Sequence, residues 1–288
     1  MKNNEFDLYM PEVDDILSRA LKEDVGCGDI TTRSTVPADR RAHGRYIAKE
    51  SGVVCGLFIC ERVFALVGGD VEFKPLKNDG DYVEKGEVIA EVSGNARNIL
   101  TGERVGLNLL QHLSGIATMT KKTVAAVEGT KAKIVDTRKA TPGLRVLEKY
   151  AVRVGGGTNH RFNLADGVLI KDNHIVASGS ITNAVAAAKK NVPHTIKIEV
   201  EIETFPQLEE ALAAGADIIM LDNMSVPDMA RAVEIVGGKA ITEASGNMGD
   251  KTAEELLAVA NTGVDIISVG SLTHSVHAMD ISLKLVMD

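Results

Sequence analysis

The chain has 288 residues, of which 44% are hydrophobic and 25% charged, and its formal net charge is −8. This composition is typical of a soluble globular protein with one large domain, or one large and one small domain. The negative charge argues against nucleic acid as the main partner. No apolar run approaches the roughly 18 residues of a membrane-spanning helix, and the N-terminus lacks a secretory signal pattern.

The sequence therefore predicts a cytoplasmic protein that binds neither nucleic acid nor membrane. Its cysteines are Cys27, Cys55 and Cys60, which form no CxxC pair. We interpret them as free thiols in a reducing compartment, not as a disulfide framework or a zinc site.

The N-terminal part is predicted to be a small α/β domain. Residues 12–24 have the apolar spacing of an amphipathic helix, and residues 45–95 contain short strand-like runs separated by glycine turns. A second helix is predicted over residues 100–119. We place the domain boundary near residue 114, which gives domains of residues 1–114 and 115–275.

The C-terminal part repeats a strand followed by a helix. The later strands start roughly 20–25 residues apart, a spacing that predicts a parallel sheet or an α/β barrel. The predicted strands are 134–136, 168–170, 196–202, 217–221, 240–243 and 265–269. The predicted helices are 181–190, 205–214, 227–236 and 253–261.

A basic segment interrupts this acidic chain. Between Lys131 and His174 there are nine Lys and Arg against four Asp and Glu, so the segment carries a net charge of +5. In an α/β barrel the loops after the strands converge and carry the reactive groups. The segment therefore indicates an anionic ligand, and its candidate binding residues are Arg138, Lys139, His160, Arg161 and Lys171.

Two further groups follow predicted strands. Glu201 and Asp222 end consecutive strands, and such a carboxylate pair suits Mg²⁺, which takes one or two carboxylates plus phosphate oxygens. Glycine-rich loops follow the last two strands, where backbone N–H groups commonly face a phosphate. The residues of these loops are Ser245, Gly246, Asn247, Gly270 and Ser271.

Two classes of protein fit these residues, and a third is considered beside them. One is a transferase that moves a phosphorylated sugar onto a small acid. Another is a Schiff-base aldolase acting on a phosphosugar, with Lys139 or Lys171 as the nucleophile. A non-catalytic anion-binding barrel would not need the carboxylate pair. The transferase is favoured because the aldolase leaves Arg138, Arg161 and the carboxylates without a role.

Long motifs of this chain resemble the quinolinate phosphoribosyltransferase family, also called nicotinate-nucleotide pyrophosphorylase (carboxylating). The resemblance runs from about residue 20 to 278 and keeps the order of the motifs. They read GDITT, ERVGLNLLQHLSGIAT, DTRKATPGLR, GGGTNHRFNLADGVLIKDNH, IEVEIE, MLDN, EASGN and SVGSLTHS.

The resemblance implies that phosphoribosyl pyrophosphate and quinolinate give nicotinate mononucleotide, pyrophosphate and CO₂ with Mg²⁺, a step of NAD biosynthesis. A phosphoribosyltransferase for a monocarboxylate such as nicotinate is the related alternative. The implied fold is an N-terminal α/β sandwich domain with a C-terminal α/β barrel of parallel strands. The family also implies a final helix, residues 276–288, that packs on the N-terminal domain. It further implies a homodimer or larger homo-oligomer.

The resemblance also implies the role of each site residue. Arg138, His160, Arg161, Lys171 and the Arg104 of a neighbouring subunit would bind the carboxylates of quinolinate. Lys139, Glu201 and Asp222 would be catalytic, the two acids holding ribose and the Mg²⁺–pyrophosphate region. Asn247 stands where a second glycine is common in the family. The residues implied for phosphoribosyl pyrophosphate are Lys139, Lys171, Glu201, Asp222, Ser245, Gly246, Asn247, Gly270, Ser271 and His274.

Overall fold

The computed structural model describes residues 10–287, which form two compact units. In these residues the first unit contains 10–121, 141–156 and 275–287, and the second contains 122–140 and 157–274. The chain therefore leaves the second unit after Ala140 and returns to it at Gly157. No helix in this part of the chain is both long and apolar enough to cross a bilayer.

The first unit is built on an antiparallel sheet with helices. In chain order its first elements are α1 (Met10–Val25), α2 (Ile30–Thr35), β1 (Arg41–Ala48), β2 (Gly52–Val53), α3 (Leu57–Val67), β3 (Val71–Pro75), β4 (Tyr82–Val83), β5 (Val88–Asn95) and α4 (Ala96–Ala126). The predicted helices at 12–24 and 100–119 are confirmed, and each extends beyond its predicted bounds.

The second unit carries the repeated strand–helix pattern. In chain order the next elements, of which α5 and β12 lie in the first unit, are β6 (Lys133–Val135), α5 (Arg145–Val154), β7 (Val168–Ile170), α6 (Asp172–Ser178), α7 (Ile181–Asn191), β8 (Ile198–Ile202), α8 (Phe205–Ala214), β9 (Ile218–Asp222), α9 (Val226–Val236), β10 (Ile241–Ser245), a 3₁₀ turn (Met248–Asp250), α10 (Ala253–Ala260), β11 (Ile266–Ser268), α11 (Ser271–His274) and β12 (Ile281–Met287). All six strands and four helices predicted for this region are present.

The strands of the second unit form a parallel, barrel-like sheet in the order β6-β11-β10-β9-β8-β7. The α/β barrel predicted from the repeat is confirmed. Local signals fix its helix starts: Thr252 and Glu255 cap α10 reciprocally, and the Ser225 hydroxyl accepts from the N–H of Asp228 at the start of α9. The carboxyl ends of all these strands therefore meet at one edge.

The final element is a strand, and the prediction of a helix over 276–288 is wrong. The residues ISLKL at positions 281–285 alternate apolar with polar side chains, which is the period of a strand. β12 pairs antiparallel with β1, so that Leu283 lies opposite Tyr46. The segment completes the four-stranded sheet β12-β1-β5-β3 of the first unit, and Leu283 packs against its buried core.

This register gives a stability test with a neighbouring control. We expect Leu283→Ala to lower the free energy of unfolding by about 1–2 kcal/mol, less than for a fully buried leucine, because Leu283 is only partly buried. Lys284→Ala, on the exposed face, should change it by less than about 0.5 kcal/mol. Urea denaturation of both variants measures the difference, and equal losses would contradict the alternation.

Candidate active site

A cavity of about 730 Å³ opens where the strands of the second unit end. It is lined by every site residue that the sequence predicts in this unit, although these residues come from seven separate loops and strand ends. They are Arg138, Lys139, His160, Arg161, Lys171, Glu201, Asp222, Ser245, Gly246, Asn247, Gly270, Ser271 and His274. The structure brings them to one place because parallel strands present their carboxyl ends on the same side.

The loop that carries Arg138 and Lys139 is fixed by its backbone. The backbone N–H of Lys139 donates a hydrogen bond to the Thr137 hydroxyl oxygen of the same loop at 3.0 Å. Its carbonyl accepts a hydrogen bond from the Thr273 hydroxyl of α11 at 2.6 Å. The exposed side chains of Arg138 and Lys139 therefore extend from a backbone in which both the N–H and the carbonyl of Lys139 are hydrogen-bonded.

His160 contacts two buried carboxylates at the cavity wall. Its Nε2 lies 3.3 Å from Glu199 Oε2 and 3.6 Å from Glu243 Oε2, and the two glutamate side chains are 4% and 1% exposed. Burial lowers the pKa of the imidazole, but the hydrogen bonds and charges of the carboxylates outweigh it and raise the pKa of His160 to about 9. Burial also raises the pKa of Glu199, and His160 opposes that change.

The other ring nitrogen of His160 also faces the protein. The backbone N–H of Arg161 donates to Nδ1 at 2.7 Å, so the proton of the neutral ring lies on Nε2. The two carboxylates favour a second proton on the ring. That proton would bind Nδ1, which could then no longer accept the hydrogen bond from the N–H of Arg161. A direct hydrogen bond from His160 to a ligand would require the ring to turn.

Arg161 has donors that the protein leaves unused. One Nη1 hydrogen bond goes to the carbonyl of Gly167 at 3.0 Å, while the buried Nε has no partner among residues 10–287. Burial lowers the pKa of the guanidinium, and the charge of Arg138 lowers it further. An anion between the two arginines would satisfy the buried donor and relieve the repulsion of like charges.

The two predicted carboxylates each have one engaged oxygen. Lys171 Nζ forms an ion pair with Glu201 Oε2, and Asn223 Nδ2 donates to Asp222 Oδ2 at 2.7 Å. The second oxygens, Oε1 of Glu201 and Oδ1 of Asp222, make no hydrogen bond within the described part of the chain. This donor set fits Mg²⁺, which binds one or two carboxylate oxygens and completes its shell with phosphate and water.

The glycine-rich loops approach the cavity with their backbones. Gly246 has φ +92°, and Asn247, with φ +50°, takes the left-handed conformation that asparagine tolerates. Asn247 therefore gives the loop a left-handed backbone turn without a glycine at that position. A Cβ on Gly270 would lie 3.3 Å from both His274 and the Lys139 side chain, so these groups pack closely around the second loop.

Arg104 lies apart from these residues in the chain. It is an exposed residue of α4, which in this region belongs to the first unit. Its predicted role requires a second subunit, and that role stays a prediction. Cys55 and Cys60 are buried, Cys27 is exposed, and all three are free thiols.

Sequence reasoning missed four residues that organise the cavity: Asp136, Glu199, Asn223 and Glu243. Asp136 is fully buried and accepts from the backbone N–H of His160 at 2.8 Å. The alternation of β8 already placed Glu199 on the same face as Glu201, so a signal for it was present. Glu243 likewise ends a predicted strand, and Asn223 directly follows Asp222. Their contacts with His160 and with the loop 245–247 join residues distant in sequence, and no local pattern identifies those contacts.

Fold and site together define an α/β barrel enzyme for small anionic substrates, with a cationic subsite, a carboxylate pair and glycine-rich loops in one cavity. Residues 116–284 match the family model for the C-terminal domain of quinolinate phosphoribosyl transferase, and residues 29–114 match the model for its N-terminal domain. The chain belongs to the quinolinate phosphoribosyl transferase family.

Individual relatives are similar over nearly the whole chain. A probable nicotinate-nucleotide pyrophosphorylase [carboxylating] of Bacillus subtilis is 48% identical over 94% of this chain and 93% of the relative. The corresponding probable enzyme of Synechocystis is 45% identical over 95% and 92%. The crystal structure of NadC from Streptococcus pyogenes has a TM-score of 0.93 at 44% identity, covering 98% of this chain and 99% of that one.

The raised pKa of His160 predicts a pH-dependent contribution to stability. The folded pKa of about 9 exceeds the unfolded value of about 6.5, so the stabilisation is complete below the unfolded value and is lost as the pH rises through 9. We expect wild type to be more stable than His160→Gln at about pH 6, with a smaller difference above about pH 9.5.

Urea denaturation across this pH range measures the difference. The control is His194→Gln, which changes an exposed histidine and should show no such trend. A stability difference between wild type and His160→Gln that stays constant with pH would contradict the assignment.

Proposed function

We propose that this protein transfers the phosphoribosyl group of phosphoribosyl pyrophosphate to quinolinate with decarboxylation. The products are nicotinate mononucleotide, pyrophosphate and CO₂, in NAD biosynthesis. The observation that carries the proposal is one cavity in which a cationic wall, a carboxylate pair and two glycine-rich loops meet. This arrangement matches one dicarboxylate and one phosphorylated sugar bound side by side.

Quinolinate occupies the cationic wall in this proposal. Arg138, Arg161 and Lys171 bind its two carboxylates, since a guanidinium can hold a carboxylate through two parallel hydrogen bonds. The unpartnered Nε of Arg161 supplies one of the donors. His160 supports this wall with its positive charge. For a direct hydrogen bond to a quinolinate carboxylate, the imidazole ring would turn away from its protein partners.

Phosphoribosyl pyrophosphate occupies the opposite side. The 5′-phosphate lies against the two glycine-rich loops, where Gly246 and Gly270 let backbone N–H groups approach it. Lys139 faces the phosphates as a point charge. Glu201 and Asp222 bind the ribose hydroxyls. The remaining residues assigned to this ligand are Lys171, Ser245, Asn247, Ser271 and His274.

Mg²⁺ is the proposed metal, held by the free carboxylate oxygens of Glu201 and Asp222 directly or through water. When bound, it would neutralise negative charge on the pyrophosphate. Lys139 contributes the same neutralisation from the protein side, at the edge of the cavity where the phosphates lie.

The residue types suit the changes of charge during the reaction. Breaking the bond between ribose and pyrophosphate develops positive charge on the sugar, which Glu201 and Asp222 tolerate. The new bond makes the ring nitrogen of quinolinate cationic. The departing carboxylate leaves its electron pair on the adjacent ring carbon, where the positive charge of the nitrogen stabilises it, and a proton from water then replaces the lost CO₂. The loss of CO₂ therefore needs little help from acid–base groups of the protein.

The other candidate functions account for less of the cavity. A Schiff-base aldolase needs a neutral lysine amine, whereas the amine of Lys171 is ion-paired with Glu201. A monocarboxylate such as nicotinate would leave part of the cationic wall without a counter-charge. The dicarboxylate is therefore the better-supported acceptor.

A homodimer or larger homo-oligomer belongs to the same proposal. In it, the exposed Arg104 of one subunit completes the quinolinate subsite of another. We further infer a cytoplasmic location, in keeping with three free thiols.

The reaction itself is the direct test. Purified protein with quinolinate, phosphoribosyl pyrophosphate and Mg²⁺ should release CO₂ and form nicotinate mononucleotide, and excess chelator should abolish both. Nicotinate in place of quinolinate should give less than about 1% of the rate, because the site then holds an unmatched cation. Borohydride trapping of a carbonyl substrate on a lysine would instead support the aldolase.

Two arginine variants test the division of the cavity. Arg138→Ala and Arg161→Ala should each weaken quinolinate affinity by about 30-fold or more, the usual cost of losing a charged hydrogen-bonding partner. The affinity for phosphoribosyl pyrophosphate should change by less than about threefold, as measured by calorimetry. Exposed Arg19→Ala is the control, and equal loss of both affinities would refute the assignment.

A further inference from the structure

We propose that Asn223 is a positioning residue that couples the Asp222 carboxylate to the glycine-rich loop 245–247. The inference rests on the proposed function, in which these two groups hold the ribose and the phosphate of one substrate. Asn223 lines the cavity at the end of β9 but has no assigned role in binding or chemistry. Its contacts join the ends of β9 and β10, and both of these strand ends bind phosphoribosyl pyrophosphate in the proposed function.

The first contact orients the carboxylate. Asn223 Nδ2 donates to Asp222 Oδ2 at 2.7 Å. This bond fixes the rotation of the carboxylate and leaves Oδ1 as its free acceptor. A carboxylate that is not held in this way rotates and presents no fixed oxygen to a hydroxyl or a cation, so the bond prepares Asp222 for its ligand.

The second set of contacts holds the loop after β10. The backbone N–H of Asn223 donates to the carbonyl of Ser245 at 3.1 Å, and its side-chain Oδ1 accepts from Asn247 Nδ2 at 3.4 Å. Between these bonds the side-chain amide lies close to Gly246. A Cβ on Gly246 would be only 2.2 Å from Asn223 Oδ1, so the close approach requires glycine at that position.

The backbone conformation explains why asparagine suits this position. Asn223 has φ +54°, in the left-handed region that only glycine, asparagine and aspartate adopt with ease. Glycine would keep the backbone but lose the amide. Aspartate would keep the shape but replace the Nδ2 donor with an oxygen that repels Asp222. Asparagine combines this backbone with a donor for one partner and an acceptor for the other.

Position-matched substitutions separate the amide from the backbone. Asn223→Gly retains access to positive φ and removes the side chain. Asn223→Asp keeps the shape of the side chain but replaces the Nδ2 donor with an oxygen acceptor. The control is Asp70→Gly, which removes an exposed side chain at an identical φ of +54° in the first unit. All three proteins are compared with wild type by calorimetric titration with phosphoribosyl pyrophosphate and Mg²⁺, by steady-state kinetics and by thermal unfolding.

We expect Asn223→Gly to weaken the binding of phosphoribosyl pyrophosphate and raise its KM by about tenfold, with Asn223→Asp more severe, while the KM for quinolinate stays within about twofold. Asp70→Gly should match wild type. A folded Asn223→Gly protein with unchanged affinity for phosphoribosyl pyrophosphate would overturn the proposal, as would an equal rise in both KM values.

A double-mutant cycle with Gly246→Ala gives a second readout. If the Asn223 amide packs on Gly246 as described, Gly246→Ala should lower affinity less in the Asn223→Gly background than in wild type. The two nearest atoms, Oδ1 and Cγ of Asn223, are then absent, and only the backbone nitrogen at 2.8 Å remains close to the new Cβ. Additive losses would contradict the coupling. The calorimetric readout does not depend on turnover. A wild-type protein that binds phosphoribosyl pyrophosphate without forming product would refute the proposed function, and the binding data would still test the role of Asn223.

Discussion

The contact between His160 and the buried glutamates is the interaction on which the cationic cavity depends. Glu199 and Glu243 stand on β8 and β10, the two neighbours of β9, so the pairing of these strands brings two carboxylates together away from water. Such a pair is costly unless a cation satisfies it. His160 provides that partner, while its backbone N–H is bound by Asp136 beside β6. The cationic wall of the cavity is therefore formed as the strands of the barrel assemble.

Strand register extends this dependence to the rest of the cavity. Met220 of β9 lies opposite Glu201 on one side and Glu243 on the other, so three side chains share one level of the sheet. Because side chains alternate along a strand, a shift of one residue would turn all of them to the other face. At this one level of the sheet, Glu201 faces the ligand cavity and Glu243 contacts His160. The distance between these two charges is therefore set by the pairing of the strand backbones.

Most of the fold could be predicted because its signals are local. Each helix of the barrel begins at a capping residue such as Thr252 and each strand is a short β-branched run, so spacing alone gave the architecture. Position at strand ends likewise identified the cavity residues. The contacts of His160 with Glu199 and Glu243, and of Asn223 with the loop 245–247, could not be found in this way. They depend on which strands become neighbours in the sheet. The C-terminal strand was missed because family resemblance outweighed the visible alternation of residues 281–285.

The pairing of β12 with β1 has a consequence for the order of synthesis. β1 has β5 on one side and β12 on the other, so until residues 281–287 leave the ribosome one edge of β1 has no partner. An open edge exposes backbone donors and acceptors to other nascent chains. The first unit of the chain is thus completed by its last residues, and a ribosome that stalls anywhere within the barrel releases a polypeptide whose N-terminal sheet is ready to aggregate.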